Sequence, residues 1–249
     1  MNELALFAGA GGGLLGSRLL GWRTVCAVEI DDYCQRVLLQ RQRDGCLEKF
    51  PIWDDVRTFG GHEWRGRVDV VTAGFPCQPF SCAGKRRGAA DERNMWPATA
   101  RVLGEVRPRY ALLENVPALV TSGYFGRVLG DLAALGFDAR WGVFSAGTIG
   151  AHFAGGRLWI FAKDTAASCL RRKRSRKINQ GPFAKNIWGE SQFTGLVREE
   201  LRLSVPAGSL GRVSDGVAHR VDRLRAIGNG QVPAVVARAW TRLTEREQA

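Results

Sequence analysis

Short apolar runs alternate with amphipathic stretches through the first 163 residues. Residues 4–7 are apolar and run into glycines, which predicts a strand stopping in a tight turn. Leu14, Leu15, Leu19 and Leu20 then recur at helical spacing and predict a helix opened by that turn. A second strand is predicted over residues 24–29, with a helix near 31–43 behind it. A third strand covers 68–73, and a helix near 93–106 precedes a strand at 110–114. A further helix near 122–135 leads to strands near 140–145 and 157–162, and a last helix covers about 233–245. Strands alternating with helices predict an α/β fold with a doubly wound, mostly parallel sheet. Ligands of such sheets gather at the carboxyl ends of the strands. Residues 7–13, Glu29, residues 74–78 and the pair Glu114-Asn115 fall there in this reading.

Composition narrows the class. The chain has 249 residues, 45% of them hydrophobic, which suffices for a packed core and argues against a disordered chain. No apolar run approaches the ~18 residues of a membrane span, and the first residues lack the basic stretch of a signal peptide. An intracellular, cytoplasmic protein is therefore expected. Lys and Arg number 36 against 24 Asp and Glu, a formal charge of +12, which favours an acidic partner such as nucleic acid. The excess is uneven: residues 164–212 hold 10 basic and 4 acidic side chains, including the run Arg171-Arg172-Lys173-Arg174-Ser175-Arg176-Lys177. That segment has no sustained period and reads as an insertion into one domain. The six cysteines form no C-x-x-C pair and no zinc spacing, so reduced thiols and no metal are expected.

Two turns carry candidate chemistry. In the first, Phe7-Ala8-Gly9-Ala10-Gly11-Gly12-Gly13, glycines let a ligand touch backbone, and the helix N-terminus presents N–H groups to it. Glu29 closes the next strand, where a carboxylate can accept from ribose hydroxyls. Gly11 to Gly16 also matches G-x-G-x-x-G, so a nicotinamide or flavin oxidoreductase stays open on this motif alone. In the second turn, Gly74-Phe75-Pro76-Cys77-Gln78-Pro79-Phe80-Ser81, two prolines hold an extended backbone around a strand-end cysteine. Such a thiol suits a nucleophile. The following loop carries Gly84, Lys85, Arg86, Arg87 and Gly88 and can touch phosphates.

These blocks, with Glu114-Asn115-Val116 between them and the C-terminal Gly228-Asn229-Gly230-Gln231-Val232-Pro233, resemble the C5-cytosine-specific DNA methyltransferases of small bacterial or phage type. The resemblance spans residues 4–163 and about 220–245. It implies a Rossmann-like, S-adenosylmethionine-dependent catalytic domain over 1–163, a small irregular basic target-recognition region over 164–219, and a segment over 220–249 returning to the catalytic domain. It implies Cys77 as the thiolate that adds to C6 of cytosine, Glu114 as the acid at N3, and Arg157 as a contact of the base oxygen or of Glu114. Phe7, Gly9, Gly11, Glu29, Asp55, Pro76 and Asn229 would hold the S-adenosylmethionine, with Asp54 competing with Asp55 for the adenine amino group. Trp96 is read either as a wall of that pocket or as a core residue. The loop 78–96 would close over a flipped-out base, with Ser81, Arg86, Arg87 and Arg93 on phosphates. Arg171, Arg172, Lys173 and Arg174 would attract the DNA backbone without reading bases.

The resemblance implies double-stranded DNA as substrate, a monomer, and admits a cognate restriction endonuclease acting on the same site. The chain departs from the family in one place: Gly155 stands where the first arginine of R-x-R is found, and only Arg157 remains. If that arginine supports the base pocket in the family, its loss here slows turnover; Cys77, Glu114 and the glycine turn are untouched, and an active enzyme is expected. Alternatives are a tRNA cytosine-C5 methyltransferase with the same Cys–Glu chemistry, and a DNA-binding protein of this fold with weak or no turnover.

Overall fold

The computed structural model describes residues 1–76, 94–150, 155–166, 222, 226 and 230–245. Seven strands form one sheet: β1 (Asn2–Leu6), β2 (Arg23–Val28), β3 (Ile52–Trp53), β4 (Val70–Gly74), β5 (Tyr110–Asn115), β6 (Phe137–Ser145) and β7 (Gly156–Asp164). Their order is β3-β2-β1-β4-β5-β7-β6. The first five run parallel, and β7 is antiparallel to both β5 and β6. The order reverses between β1 and β4, which opens a crevice above their carboxyl ends. The doubly wound, mostly parallel architecture expected from the sequence is present.

Among the described residues the α-helices are α1 (Gly12–Leu19), α2 (Asp32–Arg43), α3 (Trp96–Val106), α4 (Ala118–Thr121), α5 (Phe125–Ala134) and α6 (Pro233–Thr244). Side chains alternate across each strand, and the sheet buries both faces. Leu4, Leu6, Val71, Ala73, Ala111, Leu113 and Ile160 pack with Val102, Leu103 and Val106 of α3 and with Val128 and Leu132 of α5. On the opposite face Val70, Tyr110, Leu112, Trp159 and Phe161 pack with Val235, Val236, Ala239 and Leu243 of α6. Ala5 and Ala27 meet Leu14 of α1 and Leu38 of α2 on that same side. Trp96 is a core residue: it is 1% exposed, its Nε1–H donates to Asp131 Oδ2 at 2.9 Å, and its ring lies 5.3 Å from Phe75.

Some element bounds differ from the sequence pattern. The helix expected near 122–135 is α5, which starts only at Phe125 because Gly123 turns left-handed (φ 76°) and the Ser122 hydroxyl accepts from the Tyr124 N–H; the short α4 precedes that turn. The strand expected near 140–145 starts at Phe137, since β6 pairs along the whole of β7. β3 is too short for its two residues to show a period.

One buried charge-bearing group joins four elements. Glu3 of β1 is fully buried, and the hydroxyls of Ser17 (α1), Thr24 (β2) and Thr72 (β4) donate to its carboxyl at 2.6, 2.8 and 2.7 Å. Burial pushes its pKa up, against the pull of those three donors.

Candidate active site

The glycine turn leaves β1 through Phe7, whose φ of 56° is rare for a residue with a Cβ. Gly9 (φ 55°) and Gly11 (φ 95°) continue left-handed, and Gly11 caps α1. The turn is tied to the next strand twice. The Ala8 N–H donates to Val28 O at 3.1 Å, and the Gly9 N–H donates to Glu29 Oε2 at 2.6 Å. The other oxygen, Oε1, accepts from the Asp31 N–H at 2.9 Å. Two backbone amides thus aim a buried carboxylate over the crevice, and each oxygen keeps a lone pair for a ligand hydroxyl. Ile30 beside it is 62% exposed, and Trp53 at the end of β3 is 45% exposed. A Cβ on Gly9 would meet nothing within 4 Å, so the space over the turn is open. Carboxylate, apolar wall and open glycine turn together fit an adenosine-type cofactor. Asp55 lies near the same strand end, but Arg57 grips both its oxygens, and this pairing holds its carboxyl below the usual range.

The second half of the site is built on β4 and β5. Gly74 and Glu114 are register partners across these strands. By alternation they share the face of Val70, Tyr110 and Leu112, the face that α1 and α6 cover. Asn115 is buried; its Nδ2–H donates to Phe75 O at 3.0 Å, while its Oδ1 accepts from the Val116 N–H at 2.8 Å. This clamp holds the backbone entering Pro76, which is exposed. Glu114 is 8% exposed, and Arg157 Nε lies 3.1 Å from its Oε1. Burial raises the Glu114 pKa; the Arg157 charge and a hydrogen bond from Gln231 oppose the rise without cancelling it. A carboxyl poised in this way can hold a proton at a pH where a free one cannot.

The structure therefore gathers Phe7, Gly9, Gly11 and Glu29 on one side of the crevice, and Glu114 with Arg157 on the other. Cys77, Ser81, Arg86, Arg87, Arg93, Arg171, Arg172, Lys173, Arg174 and Asn229 lie outside the described residues.

Sequence reasoning missed Gln231, and it assigned the glycines after Gly11 too simply. A Cβ on Gly12 would lie 2.2 Å from the Gln231 carbonyl oxygen, and one on Gly13 would lie 2.5 Å from Gln231 Oε1. Gly16 meets Val236 Cβ at 2.5 Å and Pro233 O at 2.9 Å. The apparent G-x-G-x-x-G is thus, from Gly12 onward, a seat for the C-terminal segment. The only signal in the sequence is a glycine excess beyond what one tight turn needs.

A family profile described as C-5 cytosine-specific DNA methylase matches residues 1–195. The type II methyltransferase M.NgoMIV of Neisseria gonorrhoeae is 35% identical over 153 residues, which is 60% of this chain and 47% of that protein. M.Eco47II of Escherichia coli is 34% identical over 155 residues, 60% of this chain and 35% of the relative. The chain thus spans less than half the length of these curated relatives. Among solved structures, the Dnmt2 methyltransferase of S. pombe aligns over 100% of both chains with a TM-score of 0.65 at 17% identity, a likeness of fold. With the profile covering the glycine turn, β4, β5 and β7, the chain belongs to the C-5 cytosine-specific DNA methylase family.

Proposed function

We propose that the protein transfers a methyl group from S-adenosylmethionine to C5 of cytosine in double-stranded DNA at a specific short sequence. The base is flipped out, and the reaction runs through a covalent Cys77–C6 intermediate. The observation that carries this reading is Glu114: a buried carboxyl with a raised pKa, at the end of β5 beside the strand that leads into Pro76-Cys77.

Glu29, the amides of the glycine turn and the apolar Ile30 are the residues that would hold the cofactor, with Phe7, Gly9, Gly11, Asp55, Pro76 and Asn229 around it. When bound, S-adenosylmethionine supplies an electrophilic methyl group to a carbon nucleophile. Cytosine C5 is a poor nucleophile until the Cys77 thiolate adds to C6 and forms a new S–C bond. The ring electrons then move toward C5, and negative charge develops on the N3 side. Glu114 holds its proton at N3 and stabilises that charge. Arg157 keeps the Glu114 carboxyl in place from Oε1. After C5 is alkylated, H5 leaves as a proton to water, the ring electrons re-form the double bond, and the Cys77 thiolate is expelled.

Ser81, Arg86, Arg87 and Arg93 would meet phosphates near the extruded base, and Arg171, Arg172, Lys173 and Arg174 would draw in the duplex. A cognate endonuclease cutting the same sequence would complete a restriction–modification pair. The test is expression in a host that lacks cytosine methylation, followed by genome-wide mapping of 5-methylcytosine. The expected result is one short methylated motif, lost in Cys77→Ala. Methylation of tRNA with an unmodified genome would replace DNA by RNA as substrate, and methylation unchanged in Cys77→Ala would remove the nucleophile from the scheme.

A further inference from the structure

We infer that Gln231 is a positioning residue for the Glu114 carboxyl, its side-chain amide held in a cradle of Gly13 and Gly74 opposite Arg157. The catalytic weight of this role rests on the function proposed above; the contact itself does not. Gln231 stands just before α6, far from Glu114 in sequence, yet its Nε2 lies 3.4 Å from Glu114 Oε2. Arg157 approaches the other oxygen, Oε1, at 3.1 Å. A carboxyl gripped at both oxygens cannot swing about its last torsion. The 3.4 Å contact is long for a hydrogen bond, as catalytic contacts often are before substrate tightens them.

The cradle is what makes the placement specific. A side-chain carbon on Gly12 or Gly13 would collide with Gln231, at 2.2 Å from its carbonyl oxygen and 2.5 Å from its Oε1. One on Gly74, the register partner of Glu114, would sit 2.9 Å from Gln231 Nε2 and 3.0 Å from Glu114 Oε2. Gly12 therefore seats the Gln231 backbone, while Gly13 and Gly74, from two separate motifs, leave room for its side chain, and that side chain reaches the acid. A neutral amide also suits the task. A second cation beside Arg157 would hold Glu114 deprotonated, whereas an amide fixes its geometry with a smaller bias toward the charged form.

The experiment follows the Glu114 carboxyl directly. Full-length protein labelled with 13C at the glutamate carboxyl carbons is titrated by NMR, and the Glu114 resonance is identified by its absence in Glu114→Gln. Two variants are compared with the wild type: Gln231→Met, of equal length without a donor, and Gln231→Asn, smaller than the cradle and too short to reach. Each should shift the Glu114 titration upward. Each should also lower kcat for methyl transfer about tenfold, with KM for DNA and for the methyl donor within about twofold of wild type. A Glu114 titration that stays in place in Gln231→Asn overturns the proposal, and so does a loss expressed only as a higher KM. A titration that moves while the wild type shows no methyl transfer to any nucleic acid leaves the positioning contact standing and removes the proposed function instead.

Discussion

Glu114 shows how one side chain is given two demands. Its carboxyl must stay ordered, so Arg157 and Gln231 each take one oxygen. The proposed reaction also asks it to keep a proton, and burial outweighs those contacts and raises its pKa. A carboxyl with a folded pKa above its unfolded value binds more protons in the folded state. Its favourable contribution to stability is complete below the unfolded pKa near 4.5 and is lost as pH rises through the folded pKa. Glu114→Gln should therefore gain stability relative to wild type as pH rises above 4.5 in urea unfolding, while losing methyl transfer by about 10²–10⁴. A variant that loses stability over that interval would show that the charged form is favoured on folding. Glu114 was legible from the sequence because it ends an apolar strand within a recognisable motif. Gln231 was not, because its meaning depends on a contact 117 residues away in the chain.

Among the elements, the junction of α1 and α6 matters most for the site. Gly16 lets the two helices touch, with Val236 Cβ only 2.5 Å from where a side chain would begin. Gly16→Val should destabilise the protein by about 1–3 kcal/mol through overpacking, read as a lower urea midpoint with an unchanged slope. Because the same junction seats Gln231, the variant should also lower activity in the fraction that remains folded. The strands of the parallel sheet were visible in the sequence because they are buried on both faces and read as apolar runs. β3 escaped notice at two residues, and the edge strand β6 was seen only in part. Trp141 and Val143 of β6 are 49% and 57% exposed, and Gly142 interrupts its pattern. α4 escaped notice because its four residues are too few to show a helical period.

At the scale of the whole molecule, the chain carries a formal charge of +12, and its fold creates a crevice at the carboxyl ends of the strands. Half of that excess belongs to residues 164–212. If those cations meet DNA phosphates, replacing Arg171, Arg172, Lys173 and Arg174 by Gln should flatten the dependence of log Kd on log salt by about 3 to 4, near 0.9 per lost phosphate contact. An unchanged slope in a filter-binding series would separate this segment from the duplex. No helix among the described residues is long and apolar enough to cross a membrane. The packing of α6 against α1 has a consequence for biosynthesis. The glycine turn leaves the ribosome well before its partner Gln231 and the helix behind it. Until that later segment has been made, Gly12, Gly13 and Gly16 of a nascent copy lack the surface they are shaped to receive.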